Sequence, residues 1–89
     1  MKIFKYQLPI EAENAKVMLP EGAVILSLQV QNGEPCMWAL VDDAKPPVVR
    51  WLRWAGTGHY ISIDELRDLN FIGTVQLGAY VFHLFEKIR

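Results

Sequence analysis

The run Arg50-Trp51-Leu52-Arg53-Trp54-Ala55-Gly56-Thr57-Gly58-His59 carries the densest set of chemistry-bearing side chains in the sequence. Its two guanidiniums offer planar donor forks for phosphate, its two indoles offer stacking surfaces for a base, and its glycines let a ligand approach the backbone closely. Thr57 and His59 add a hydroxyl and an imidazole for a sugar or a phosphate, and Thr74 and Gln76 would join them from a neighbouring strand. In this reading Arg50, Trp51, Arg53, Trp54, Thr57, His59, Thr74 and Gln76 form a nucleotide pocket. A structural reading uses the same residues differently: one tryptophan fills the core, the arginines stack on the other and face water, and Thr74 and Gln76 are solvent-facing strand positions.

Other chemistries find less support. A metal site needs three or four ligands, and His59, His83 and Cys36 show no CxxC, HxH or HExxH spacing. Cys36 sits in an apolar, strand-like run, where a thiol behaves as a small hydrophobe rather than a nucleophile. No glycine-rich phosphate loop follows a strand and opens a helix. The expectation is therefore a protein that binds and does not catalyse, with no metal and no cofactor.

The composition limits the partners. The chain has 89 residues, 52% of them hydrophobic, and a formal net charge of −1. A charge this close to balance lacks the field of a duplex-DNA binder. The interleaved Trp and Arg are compatible with a single-strand platform only if a local basic patch exists. A single cysteine forbids an internal disulfide and suits a reducing compartment. Met1–Pro9 lacks the apolar core of a secretory signal. The charge-free run from Leu69 to Phe85 is broken by Asn70, Gly73, Thr74, Gln76, Gly78 and His83 and reads as a hairpin, not a membrane span. At this size roughly 64% of the unfolded surface can be hidden, enough for one core.

Residues 2–8 alternate, with Phe4, Tyr6 and Leu8 on the apolar face. A loop over 11–15 precedes a short strand, Ala15–Leu19, closed by Pro20-Glu21-Gly22. In Ala23–Gln31 the residues Val24, Leu26, Leu28 and Val30 share one face, and Asn32-Gly33 then turns the chain into Glu34–Val41. That return strand is apolar on both faces, Cys36, Trp38 and Leu40 opposing Met37, Ala39 and Val41, so it needs cover on both. Pro46-Pro47 closes a charged loop before Val48–Ala55. Ser62-Ile63-Asp64-Glu65 has capping-box spacing and predicts one or two helical turns within Ser62–Leu69, with Leu66 and Leu69 turned inward. Phe71–Leu77 and Tyr80–Glu86 flank Gly78-Ala79, a two-residue II′ turn. These elements predict one all-β domain over residues 1–89, a small antiparallel sandwich or barrel of about seven strands with one short helical turn. Its edges carry few charges, which predicts a homo-oligomer.

The segments Gly22–Gly33 and Cys36-Met37-Trp38-Ala39-Leu40-Val41-Asp42, together with Gly56-Thr57-Gly58-His59, Phe71–Leu77 and Val81–Glu86, resemble a family of small bacteriophage and prophage proteins of unknown function. The N-terminal Lys2-Ile3-Phe4-Lys5-Tyr6 extends the resemblance over nearly the whole chain. It implies a viral accessory protein in the cytoplasm of a bacterial host and supplies no catalytic residues. Proteins of this kind inhibit host factors or defence systems, some by sequestering nucleotide signals. The expected function is thus a non-enzymatic accessory protein that binds a host-derived partner, in its most concrete form a small nucleotide, cyclic or linear. The alternatives are a structural, assembly or virion accessory protein, or a direct protein inhibitor of a host factor.

Overall fold

Asn32 and Gly33 carry φ angles of 53° and 78°, the two positive values that a type I′ turn requires. They join β3 (Val24–Gln31) to β4 (Glu34–Val41) in antiparallel register. Alanine at position 33 would be held in the left-handed region, so Gly33→Ala should cost roughly 1–2 kcal/mol in urea unfolding. The second tight hairpin joins β6 (Leu69–Leu77) to β7 (Tyr80–Lys87). Its Gly78, at φ 60°, is the one positive-φ residue of the loop, as a II′ turn demands.

The computed structural model describes residues 1–88. β1 (Lys2–Gln7), β4 and β3 form a three-stranded sheet in the order β1-β4-β3. β2 (Asn14–Pro20), β5 (Pro47–Gly56), β7 and β6 form a four-stranded one in the order β2-β5-β7-β6. All pairings are antiparallel, and the two sheets face each other as a sandwich, not a closed barrel. The core between them is Leu8, Leu19, Met37, Ala39, Val41, Leu52, Trp54, Val75 and Leu84. Strand alternation accounts for this list: β4 turns Met37, Ala39 and Val41 inward and leaves Cys36, Trp38 and Leu40 on the outer face.

Two expectations need correction. The Val24/Leu26/Leu28/Val30 face does not survive, because a β-bulge at Leu26 places the register shift between Ile25 and Ser27. The extra residue reverses the alternation, so Ile25 and Leu28 pack on the core while Val24 and Leu26 are exposed. The helical segment shrinks to α1 (Ile63–Leu66), capped by Ser62, whose Oγ accepts the Glu65 N–H at 3.0 Å. Leu66 is exposed, not inward. The reciprocal half of the capping box is absent because the Glu65 carboxylate is bound elsewhere.

Candidate ligand-binding site

Alternation along β5 decides the fate of the Arg/Trp run: Arg50, Leu52 and Trp54 face the opposite sheet, Trp51 and Arg53 the outside. Trp54 is core, 3% exposed, with its indole N–H donating to the Pro9 carbonyl at 2.8 Å and its ring edge-on to Phe82. Arg50 reaches the open end of the sandwich. Its Nε and Nη2 donate to the two carboxylate oxygens of Glu86, and its Nη1 donates to the Ala23 carbonyl at 2.8 Å. Arg53 is on the outer face yet only 5% exposed. It donates from Nε and Nη2 to Glu65, at 2.8 and 3.4 Å, and from Nη1 to the Trp54 carbonyl. Glu13 adds a carboxylate at 3.8 Å.

The two arginines therefore point to opposite faces and each is neutralised by an acid. The hydrogen bond to Glu65, opposed by desolvation and reinforced by its charge, holds the Arg53 guanidinium above its ordinary value, and Glu86 acts likewise on Arg50. A charge turned inward or covered over has to be paired in this way. A cradle of two free guanidiniums does not form.

Thr57 and Thr74 do meet. Their hydroxyls bracket the His83 ring, Thr57 Oγ1 at 2.8 Å from Nε2 and Thr74 Oγ1 at 2.9 Å from Nδ1. Gln76 lies two residues further along that face, its amide donating to the Gly78 carbonyl. His59 folds back over Gly56, so closely that a Cβ there would come within 2.8 Å of the imidazole. His59, Thr57 and Tyr80 line a cleft of about 510 Å³. This end of the sheet is rich in hydroxyl and imidazole groups and contributes no lysine or arginine to the cleft.

Trp51 is at the other end, 48% exposed. Its neighbour on β2 is Lys16. On the other side, one position beyond the Leu52–Glu86 pair, lies Lys87 of β7. Among the described residues neither lysine makes a hydrogen bond or a salt bridge. Beside the indole runs a groove of about 440 Å³ lined by Trp51, Lys87, Asn70, Arg50 and Glu86, continuing past Asn70 to Phe71. With three of its five N–H groups engaged, Arg50 keeps two donors for a ligand. Apolar walls with a few fixed polar groups and an exposed stacking ring are the makings of a small-molecule site. Lys16, Lys87, Asn70 and Glu86 escaped the sequence reading because only strand order brings them to Trp51.

Among the described residues no group of three or more His, Cys, Asp and Glu is placed to hold a metal. No helix there is long and apolar enough to cross a membrane.

Fold and groove together define a small two-sheet antiparallel sandwich with an aromatic, lysine-flanked groove at one end of its larger sheet. The chain belongs to the family described as a domain of unknown function, DUF7352, whose model matches residues 1–89. No curated protein and no solved structure matches it.

Proposed function

We propose that this protein is a non-enzymatic binder of a small phosphorylated aromatic ligand, a nucleotide, at the Trp51 groove. The observation that carries the reading is the exposed indole of Trp51 set between Lys16 and Lys87, neither of which makes a hydrogen bond or a salt bridge among the described residues, although Lys87 also acts on the Glu65 carboxylate through its charge. A base stacks on Trp51, Lys16 and Lys87 meet the phosphates, and Asn70, Glu86 and the two spare Arg50 donors read the edge of the ring. The cations differ from those anticipated in the sequence; the ligand class does not. The resemblance to phage and prophage proteins gives the reading a setting: a viral accessory protein in the bacterial cytoplasm that withholds a nucleotide signal, linear or cyclic, from host defence.

A panel of linear and cyclic nucleotides tested by calorimetry and thermal shift checks this. A true ligand at one hundred times its Kd should stabilise the protein by about 2.7 kcal/mol. Trp51→Ala should weaken binding by about 1–3 kcal/mol, the worth of one stacked base. Lys16→Gln with Lys87→Gln should flatten the salt dependence. If no nucleotide moves the melting temperature, the reading fails.

A further inference from the structure

We infer that the outer face of the β1-β4-β3 sheet is where two copies of this chain meet. Trp38 sits in the middle of the central strand, flanked across the sheet by Lys5 and Ser27. Around it lie Ile3, Leu26 and Val24, about half exposed, and the half-buried Leu40. A groove of about 470 Å³ runs over the indole between Ile3 and Leu26, bordered by Gln29 and Gln31. Among the described residues the Trp38 indole N–H has no hydrogen-bond partner, so it is a donor available to a glutamine carbonyl of the second chain.

Charge argues for a second copy as the occupant. Among the described residues the ionic groups at strand positions of this face are Lys5 and, at the hairpin end of β4, Glu34; the Lys5 ammonium is already bound to the Gln31 side chain at 2.6 Å. Lys5 and Glu34 have opposite signs, so two copies packed face to face can set the Lys5 of one toward the Glu34 of the other, whereas the face as a whole offers no net charge to a partner chosen by charge. Depletion of charge around a central aromatic residue is also the composition of an interface core.

Size and shape agree. The molecule measures 40 × 33 × 18 Å, with a radius of gyration of 13.1 Å, against about 12 Å for a typical chain of this length. Its surface is 5789 Å², where mass scaling gives about 5,300 Å². It is a thin slab that hides less of itself than its size allows. β1, with six residues, and β3 and β4, with eight each, project at most about 14 × 26 Å, which with side-chain relief lies at or below the small end of specific interfaces. The dimer is therefore reversible and depends on concentration.

Sedimentation velocity on the full chain, from low to high micromolar, should show a shift from one chain to two. Ile3→Lys with Leu26→Lys, both at exposed positions, should weaken association by more than about tenfold, while Met18→Lys on the opposite sheet leaves it unchanged. Circular dichroism melts establish that each variant folds, and the milder Leu26→Gln, expected to weaken association several-fold, serves if the double variant does not. A single-chain mass at every concentration overturns the proposal and leaves the face to a different protein. So does a dimer that folded variants carrying Leu26→Gln or both lysines form as tightly as the parent.

Discussion

Trp54→Ala is expected to lower stability by about 4 kcal/mol, whereas Trp51→Ala, three residues earlier on the same strand, should stay within about 0.5 kcal/mol of the parent. Trp54 is 3% exposed and fills the space between the sheets against Phe82, with its N–H satisfied by Pro9. Truncation leaves a cavity and an unpaired Pro9 carbonyl, and the linker of residues 8–13 loses its anchor. Trp51 stands half in water on the outer face, so its loss removes a surface and little packing. In a domain of this size the first change corresponds to a fall in Tm of roughly 20 °C. Urea titrations of the two variants read the difference directly. Nucleotide binding should show the opposite order among folded proteins, with Trp51→Ala the more damaging. Equal destabilisation by the two substitutions would contradict the assignment of faces along β5.

That assignment was legible in the sequence, since a strand at 48–55 fixes Arg50, Leu52 and Trp54 on one side by parity alone. Which side was core was not, because each face offered one arginine and one tryptophan. The hairpins were legible through Asn32-Gly33 and Gly78-Ala79, and the second also determines the Thr74–His83 pair, since Leu77 opposite Tyr80 counts back to it. The bulge at Leu26 was hidden: the run Val24, Leu26, Leu28, Val30 alternates perfectly, and the interruption appears only when β3 is laid against β4. Least legible were the partners that decide the chemistry. Glu86 is 36 residues from Arg50 and Glu65 is 12 from Arg53. Lys16 reaches Trp51 only because β2 and not β4 is the neighbour of β5. No local signal encodes that order, and within the run itself the guanidiniums are already committed to Glu86 and Glu65.

Of those two committed guanidiniums, Arg53 should leave the clearer thermodynamic signature. Its side chain is 7% exposed and that of Glu65 is 35% exposed. Glu65→Gln should then leave a mostly buried cation facing a neutral amide, with only the Trp54 carbonyl and the distant Glu13 to compensate. Breaking a fully buried pair costs about 3–5 kcal/mol. Solvent at the carboxylate reduces this, and about 2 kcal/mol is expected near neutral pH. The hydrogen bond from Arg53 is the largest influence on Glu65 and holds its carboxyl below the usual range against a smaller desolvation penalty. The unfolded chain then binds the proton more readily than the folded one, so stability rises with pH across that interval. The contribution of the pair is complete above the unfolded carboxyl value of about 4.3 and is lost as pH falls through the lower, folded one. Glu65→Gln should consequently be most harmful at neutral pH and nearly silent in strong acid. Asp43, lowered by Lys2 on the open surface, titrates in the same direction, and Asp43→Asn therefore serves as the control for an exposed pair. Urea unfolding of parent, Glu65→Gln and Asp43→Asn near neutrality and in strong acid separates the two contributions. A pH slope unchanged by Glu65→Gln would mean that the carboxylate, though bonded to Arg53, does not hold α1 against the sheet.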